Sequence, residues 1–256
     1  MLAHDLQLLV DAAEASGKIA RKHFQANPEI WDKGDGQGPV TEADLAIDRM
    51  LHSELLGARP DHGWLSEETD DNTDRLTHSR VFIIDPIDGT RAFIAGLDHF
   101  SHSLAIAEDG KIVAAVVHLP MKNMTYTATK GGGAFLNGQP ITPSTQTVMD
   151  DAEILVNGSM MKPEYWQKSV PNFKRNFRPS LAYRVCLAAE GRFDAMLTLR
   201  PTWEWDVAAG DLIAQEAGAV VTTAQNQTPI YNNPKPQLAG MITAGAEIHR
   251  QLMDHL

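Results

Sequence analysis

The chain has 256 residues, 33 of them acidic and 22 Lys or Arg, so its formal net charge is −11; 43% are hydrophobic and 21% charged. That length and composition fit one large or two small globular units able to bury roughly 70% of the unfolded surface, which excludes disordered and fibrous classes. The negative charge repels a phosphodiester backbone and no basic patch offsets it, so no nucleic-acid partner is expected, and an anionic substrate would need a metal cation beside it.

Leu6, Leu9, Val10, Ala13, Gly17, Ala20 and Phe24 recur at three- and four-residue steps, which predicts a long amphipathic helix. The same stretch lacks the basic-then-apolar order of a signal peptide. No run of about 18 apolar residues suggests a membrane span, and the single cysteine, Cys186, allows no intrachain disulfide. A cytoplasmic location is expected.

Asp32 to Pro39, DKGDGQGP, reads as a glycine-rich loop carrying Lys33. Thr41-Glu-Ala-Asp44 has the form of a capping box, and a second helix runs from there through Ile47, Leu51 and Leu55 to about Gly57. After an acidic loop, LSEETDD, the apolar run Arg80-Val-Phe-Ile-Ile-Asp85 predicts a buried strand that delivers Asp85 to its end. Asp109-Gly110 joins two further apolar runs as a hairpin, and TYTATKGGGAFLNGQPI continues with strand and turn signals. The first half is thus two helices against an antiparallel or mixed sheet.

The polar stretch from Pro143 to Asp151 separates an α+β subdomain, residues 1–143, from an α/β subdomain, residues 144–256. In the second, ILVNG, a helix through Tyr183 to Glu190, DAMLTL, a helix from Asp206 to Ala217, AVVTT and GMITAG alternate strand with helix. No linker divides them, so the halves are expected to pack together.

The densest chemical signal is Asp85-Pro86-Ile87-Asp88-Gly89-Thr90, between the buried strand and a helix starting near Thr90. Carboxylate oxygens of Asp85 and Asp88 suit Mg²⁺, and backbone N–H groups of Gly89 and Thr90 at a helix start suit phosphate oxygens. A turn with Asp88 as N-cap accounts for the same residues. Glu67 and Glu68 read equally as a solvated loop, Asp44 as part of a helix cap, and Asp206 as an N-cap following Trp203 and Trp205. The ten histidines show no ligand spacing and read as surface or edge residues, while Cys186 reads as a core thiol.

Taken together, four segments in order resemble the inositol monophosphatase superfamily, the lithium-sensitive Mg²⁺-dependent phosphatases. They are V-T-E-A-D at Val40 to Asp44, S-E-E-T at Ser66 to Thr69, D-P-I-D-G-T at Asp85 to Thr90, and W-D-V-A-A-G at Trp205 to Gly210. The resemblance implies a layered αβαβα sandwich, often a homodimer, that hydrolyses a small phosphorylated metabolite with two or three Mg²⁺ ions. It implies that Glu67, Asp85 and the Ile87 carbonyl hold one ion and Asp85, Asp88 and Asp206 a second, with a weaker third near Glu67. Asp44 and the Thr90 hydroxyl would orient and deprotonate the attacking water, and Lys33 would approach the phosphate.

For the substrate, Leu199 stands where relatives of the animal type carry an inositol-binding glutamate, which argues against tight inositol specificity. SLAYRVCLAAEGRFDA is closer to the branch that removes the 3′-phosphate from 3′-phosphoadenosine 5′-phosphate, with Arg184 and Arg200 as candidates for the second phosphate. Inositol phosphate is the second choice. Histidinol phosphate, whose ammonium group would suit a spare carboxylate such as Glu204, is the third. A regulatory partnership with transcription machinery is the alternative of a different class.

Overall fold

A computed structural model describes residues 2–26, 28–34 and 38–256. Asp35, Gly36 and Gln37 of the predicted glycine-rich loop lie outside the described residues. In chain order the elements begin with helix α1 (Leu2–His23), the hairpin β1 (Ile30–Asp32) and β2 (Pro39–Thr41), helix α2 (Glu42–Ala58) and strand β3 (Gly63–Ser66). Then come β4 (Arg80–Asp88), the short helix α3 (Thr90–Ile94), β5 (Ser101–Glu108), β6 (Lys111–Leu119), β7 (Met124–Thr129), β8 (Gly133–Leu136) and β9 (Gln139–Pro140). The second half holds β10 (Glu153–Val156), β11 (Lys174–Asn176), α4 (Leu181–Ala189), β12 (Ala195–Thr198), β13 (Thr202–Trp203) and α5 (Glu204–Ala217). It ends with β14 (Val220–Thr222), β15 (Gln237–Leu238), β16 (Met241–Ala244) and α6 (Ala246–Met253).

Strands β3 to β9 form one seven-stranded sheet in sequence order, and β11-β10-β12-β16-β14 form a five-stranded mixed sheet. The expected hairpin joins β5 to β6, with Asp109 and Gly110 both at positive φ, 49° and 78°, the geometry that matches strand twist. Side-chain alternation then fixes the layers. Phe82 and Ile84 of β4 face α1 and α2, where Leu9, Ala13, Ile47, Leu51 and Leu55 meet them. Val81 and Ile83 face the other way, onto Val185, Val207, Leu212 and Ile213 of α4 and α5.

The far side of those two helices rests on Leu155, Met196 and Met241 of the five-stranded sheet. The outer face of that sheet, with Ile154, Val156, Leu197 and Ile242, is covered by Ile248 and Leu252 of α6. The order of layers is therefore helix, sheet, helix, sheet, helix, as the resemblance implied. The middle apolar core draws on residues from both sides of position 143. No described helix is long and apolar enough to cross a membrane.

The histidine expectation needs correction. His62, His102, His118 and His249 are buried, because their ring volume fills space between strands and helices once the ring is neutral. Burial lowers the pKa of His102 to about 3 and that of His118 to about 4, so both stay uncharged near neutrality.

Helices α4 and α5 approach so closely at Gly210 that a Cβ there would lie 2.7 Å from Val185 Cβ. Gly210→Ala is therefore expected to destabilise the protein by about 1–3 kcal/mol through overpacking, measured by chemical denaturation. Adding Val185→Ala should recover part of that loss, and a Gly210→Ala protein of unchanged stability would contradict the tight crossing.

Candidate active site

The site is built where β4 ends. The β4–β5 ladder runs in register from Arg80 opposite Glu108 to Asp85 opposite Ser103, then shifts, so that Asp88 pairs with Ser101. Pro86 and Ile87 face the single residue His102, a bulge that tolerates a proline and turns the strand end. Gly89 follows in the left-handed region at φ 96°, which a residue with a side chain adopts only under strain, and α3 starts without a side-chain cap. Asp88 is accordingly no N-cap for α3. Its carboxylate turns to the start of α4, accepting from Ser180 Oγ and Ala182 N, both at 2.6 Å.

Asp206 arrives from the second half, in the first turn of α5 rather than ahead of it. The helix begins at Glu204 with Trp203 as N-cap and no side-chain cap bond, so the expected N-cap role of Asp206 does not hold. Ser103 Oγ donates to the Trp205 carbonyl at 2.9 Å, tying the residue opposite Asp85 to the turn that carries Asp206. One oxygen from each of Asp85, Asp88 and Asp206 lies within 4.8 Å of the others.

Burial pushes the Asp85 carboxyl well above the usual carboxylate range, and the charges of Glu67, Asp88 and Asp206 push it further. Asp206 is raised well above its ordinary value by the same two causes. Asp88 is raised only to about 6, because the donors at the start of α4 offset its burial. Both oxygens of Asp85 are buried with no hydrogen-bond partner among the described residues. A buried carboxylate left bare is costly unless a cation completes it, so this donor set fits a hard divalent ion.

Asp44 and Thr90 meet beside this group. Asp44 Oδ2 accepts from the Thr41 backbone N–H and hydroxyl, the expected capping box, while Oδ1 accepts from Thr90 Oγ1 at 3.1 Å. Burial raises the Asp44 pKa to about 6 against the bonds from Thr41. The capping and active-site readings of Asp44 therefore coexist, one on each oxygen. Thr90 Oγ1 also lies 3.0 Å from the Ile87 carbonyl.

The S-E-E-T loop is pinned from α2, where Asp48 accepts from Ser66 Oγ at 2.5 Å and Thr69 Oγ1 at 2.7 Å. Lys33 Nζ donates to Glu67 and Glu68 at 2.8 and 2.7 Å, so one ammonium charge is shared between the two acids. Burial works against the Lys33 charge, but the two glutamates outweigh it and raise its pKa. Burial and the Glu67 charge lift Glu68 to about 8.

Two clefts meet here, both lined by Glu67 and Asp206. The larger, about 820 Å³, includes Lys33 and the stacked rings of Trp203 and Trp205. The smaller, about 460 Å³, includes Asp85, Ile87, Asp88, Gly89, Thr90 and Arg184. Arg184 is 8% exposed, its guanidinium 5.1 Å from the Phe177 ring centroid. Burial lowers its pKa, with Asp88 and Asp206 opposing the shift.

Three expected substrate determinants are not brought to this site. Arg200 is exposed and lines neither cleft; its carbonyl accepts from Thr202 Oγ1. Leu199 packs on the outer cluster beneath α6, so its identity decides nothing about a polyol in the clefts. Glu204 is no spare carboxylate, because it accepts from the backbone N–H groups of Asn232 and Asn233. Buried Arg75 holds the same turn through Asn232 Oδ1 and the Asn233 carbonyl. No local signal links Glu204 or Arg75 to a turn so far along the chain.

Fold and site define a layered α/β protein with an acidic cleft able to hold a cation. The family model of the inositol monophosphatase family matches residues 1–256. The chain belongs to that family, whose members are phosphatases acting on small phosphorylated substrates. It is 34% identical to the inositol-1-monophosphatase of Rhizobium meliloti, over 94% of this chain and 91% of the relative. It is 32% identical to Nus factor SuhB of Escherichia coli (85% and 84%) and 31% identical to the 3′(2′),5′-bisphosphate nucleotidase CysQ of Aggregatibacter actinomycetemcomitans (91% and 89%). The crystal structure of the extragenic suppressor protein suhB from Bartonella henselae superposes with a TM-score of 0.81 at 27% identity, covering 98% of this chain and 97% of that one.

An uncompensated Asp85 predicts an unusual pH response. Its folded-state pKa is raised, so the folded chain holds a proton that the unfolded chain releases above about pH 4. Asp85→Asn should therefore stabilise the metal-free protein by a margin that is nearly absent at pH 4 and larger at pH 7. The same variant should lose most of the thermal stabilisation that magnesium gives the parent. Melting curves with chelator and with magnesium check both outcomes; a variant less stable than the parent at pH 7 in chelator would contradict the argument.

Proposed function

We propose that this chain is a Mg²⁺-dependent phosphomonoesterase that transfers the phosphoryl group directly to water. The observation that carries the reading is the partnerless Asp85 carboxylate, buried beside Asp88 and Asp206 and next to the Asp44–Thr90 pair. Glu67, Asp85 and the Ile87 carbonyl would hold one ion and Asp85, Asp88 and Asp206 a second, with a weaker third near Glu67. Magnesium bound there supplies charge that neutralises phosphoryl oxygens and acidifies water.

The chain's own residues do the remaining work. Donation of the Thr90 hydroxyl hydrogen to Asp44 rather than to the Ile87 carbonyl, 3.1 and 3.0 Å away, leaves Thr90 Oγ1 able to accept a hydrogen bond from the attacking water. As the water oxygen bonds to phosphorus and the ester P–O bond breaks, the water's proton passes to Thr90 Oγ1 and the threonine proton to Asp44 Oδ1, whose raised pKa makes it a competent acceptor, while the departing alkoxide takes a proton from solvent water. Glu67 assists in holding the attacking water, the backbone at Gly89 and Thr90 steadies the phosphate, and Lys33 exchanges its glutamate partners for that phosphate. Thr90→Ala should lower kcat by about 10²–10⁴ while leaving magnesium affinity nearly unchanged in calorimetry; equal losses in both would assign Thr90 to structure.

The substrate we favour is a 3′(2′),5′-bisphosphate nucleotide. Support comes from Arg184, whose guanidinium lines the smaller cleft and makes no salt bridge among the described residues. A second anionic group beside the reacting phosphate would complete it. The similarity to a CysQ nucleotidase points the same way. A charge-assisted bond of about 1.5–3 kcal/mol converts to roughly 10- to 150-fold in catalytic efficiency.

Arg184→Met should accordingly lower kcat/KM for 3′-phosphoadenosine 5′-phosphate by that factor and leave inositol 1-phosphate and histidinol phosphate nearly untouched. A parent enzyme preferring inositol 1-phosphate, with equal losses on all substrates in the variant, would favour the activity named for the Rhizobium relative instead. The SuhB relatives favour a second, binding role with transcription factors. Co-elution with such factors by a variant lacking phosphatase activity would support it.

A further inference from the structure

The bulge that presents Asp85 and Asp88 leaves backbone groups without ladder partners, which is the cost of a bulge in any sheet. One of them, the Pro86 carbonyl, lies between the two acidic residues. His102, the single residue opposite the bulge, is fully buried and its Nδ1–H donates to that carbonyl at 2.5 Å. A buried carbonyl deprived of this donor would be left desolvated and unsatisfied.

The imidazole is itself held from behind. His118 pairs with His102 across β5 and β6, and the two rings stack with centroids 6.0 Å apart and planes 26° from parallel. His118 Nδ1 engages Thr125 Oγ1 of β7 at 2.9 Å. Helix α1 closes over His118 at Gly17, where a Cβ would stand 2.9 Å from His118 Nε2. The brace therefore spans α1, three strands and the bulge.

We propose that His102 is a positioning residue for the cation cage: its Nδ1–H fixes the Pro86 carbonyl and thereby the relative placement of the Asp85 and Asp88 carboxylates. This rests on the cage being a magnesium site. His102 lines neither cleft. Its ring stacks on His118, remains neutral through burial, and offers the one donor the carbonyl needs while Nε2 stays unprotonated and has no partner among the described residues.

Two variants separate positioning from bulk. His102→Phe keeps a ring to stack on His118 but has no donor. His102→Asn keeps an amide donor near the Nδ1 position and leaves a larger void, so it should melt lower than the parent. Magnesium titration by calorimetry, with kcat measured at saturating magnesium, should show His102→Phe binding roughly 10- to 100-fold more weakly, the loss typical of groups that orient metal ligands. His102→Asn should stay within about threefold of the parent despite its lower melting temperature.

Magnesium affinity that follows melting temperature instead of the donor, or a His102→Phe protein with parental affinity, overturns the proposal. A parent protein that binds no magnesium overturns the cage reading as well. A measurement without any substitution gives an independent check: long-range ¹⁵N–¹H spectra of the parent should report the Nδ1–H tautomer for His102, and the Nε2–H tautomer would refute the assigned bond.

Discussion

Mutual repulsion among buried Asp85 and Asp88 and half-buried Asp206, close enough to share a single ion, is the constraint around which this structure is arranged. Each carboxylate is held by a different device. Asp88 is satisfied at the start of α4 by Ser180 and Ala182, which leaves its second oxygen for the cage. Asp206 rides on the first turn of α5, anchored by Ser103 of the neighbouring strand. Among the described residues no donor reaches Asp85, and a cation would complete the arrangement.

The layered fold serves that convergence. Helices α4 and α5 lie between the two sheets, and their N-terminal ends approach the tip of β4, so the middle core fixes the distance between residues far apart in sequence. On the other face, the capping box of α2 sets Asp44 against Thr90, and Asp48 one turn later pins the loop of Glu67 and Glu68. Stability and chemistry draw on the same bonds. The Asp44 carboxylate caps a helix with one oxygen and orients a hydroxyl with the other.

Much of this was legible in the sequence because the signals were local. Thr41 to Asp44 carries its own capping logic, Asp109-Gly110 its own turn, and the apolar run before Asp85 its own strand. The four motifs, read in order, led to the family and to the layered architecture. What stayed hidden depends on pairings between distant segments. Glu204 resembled a free acid until the turn at Asn232 and Asn233 was seen to occupy it. Arg200 and Leu199 lay near Asp206 in sequence, but the β12–β13 connection carries them away from the clefts, whereas Arg184 on α4 lines the smaller one. His102 and His118 looked like edge residues because nothing local marks a bulge opposite them or a glycine of α1 above them.

Crystals soaked in manganese, an anomalous scatterer that takes the same oxygen ligands as magnesium, offer the most direct test of the central claim. An anomalous peak is predicted at about 2–2.3 Å from an Asp85 oxygen, with Asp88 and Asp206 in the same coordination shell. Saturating manganese that leaves this cluster empty while binding elsewhere, or that binds with Asp206 turned away, would contradict the account.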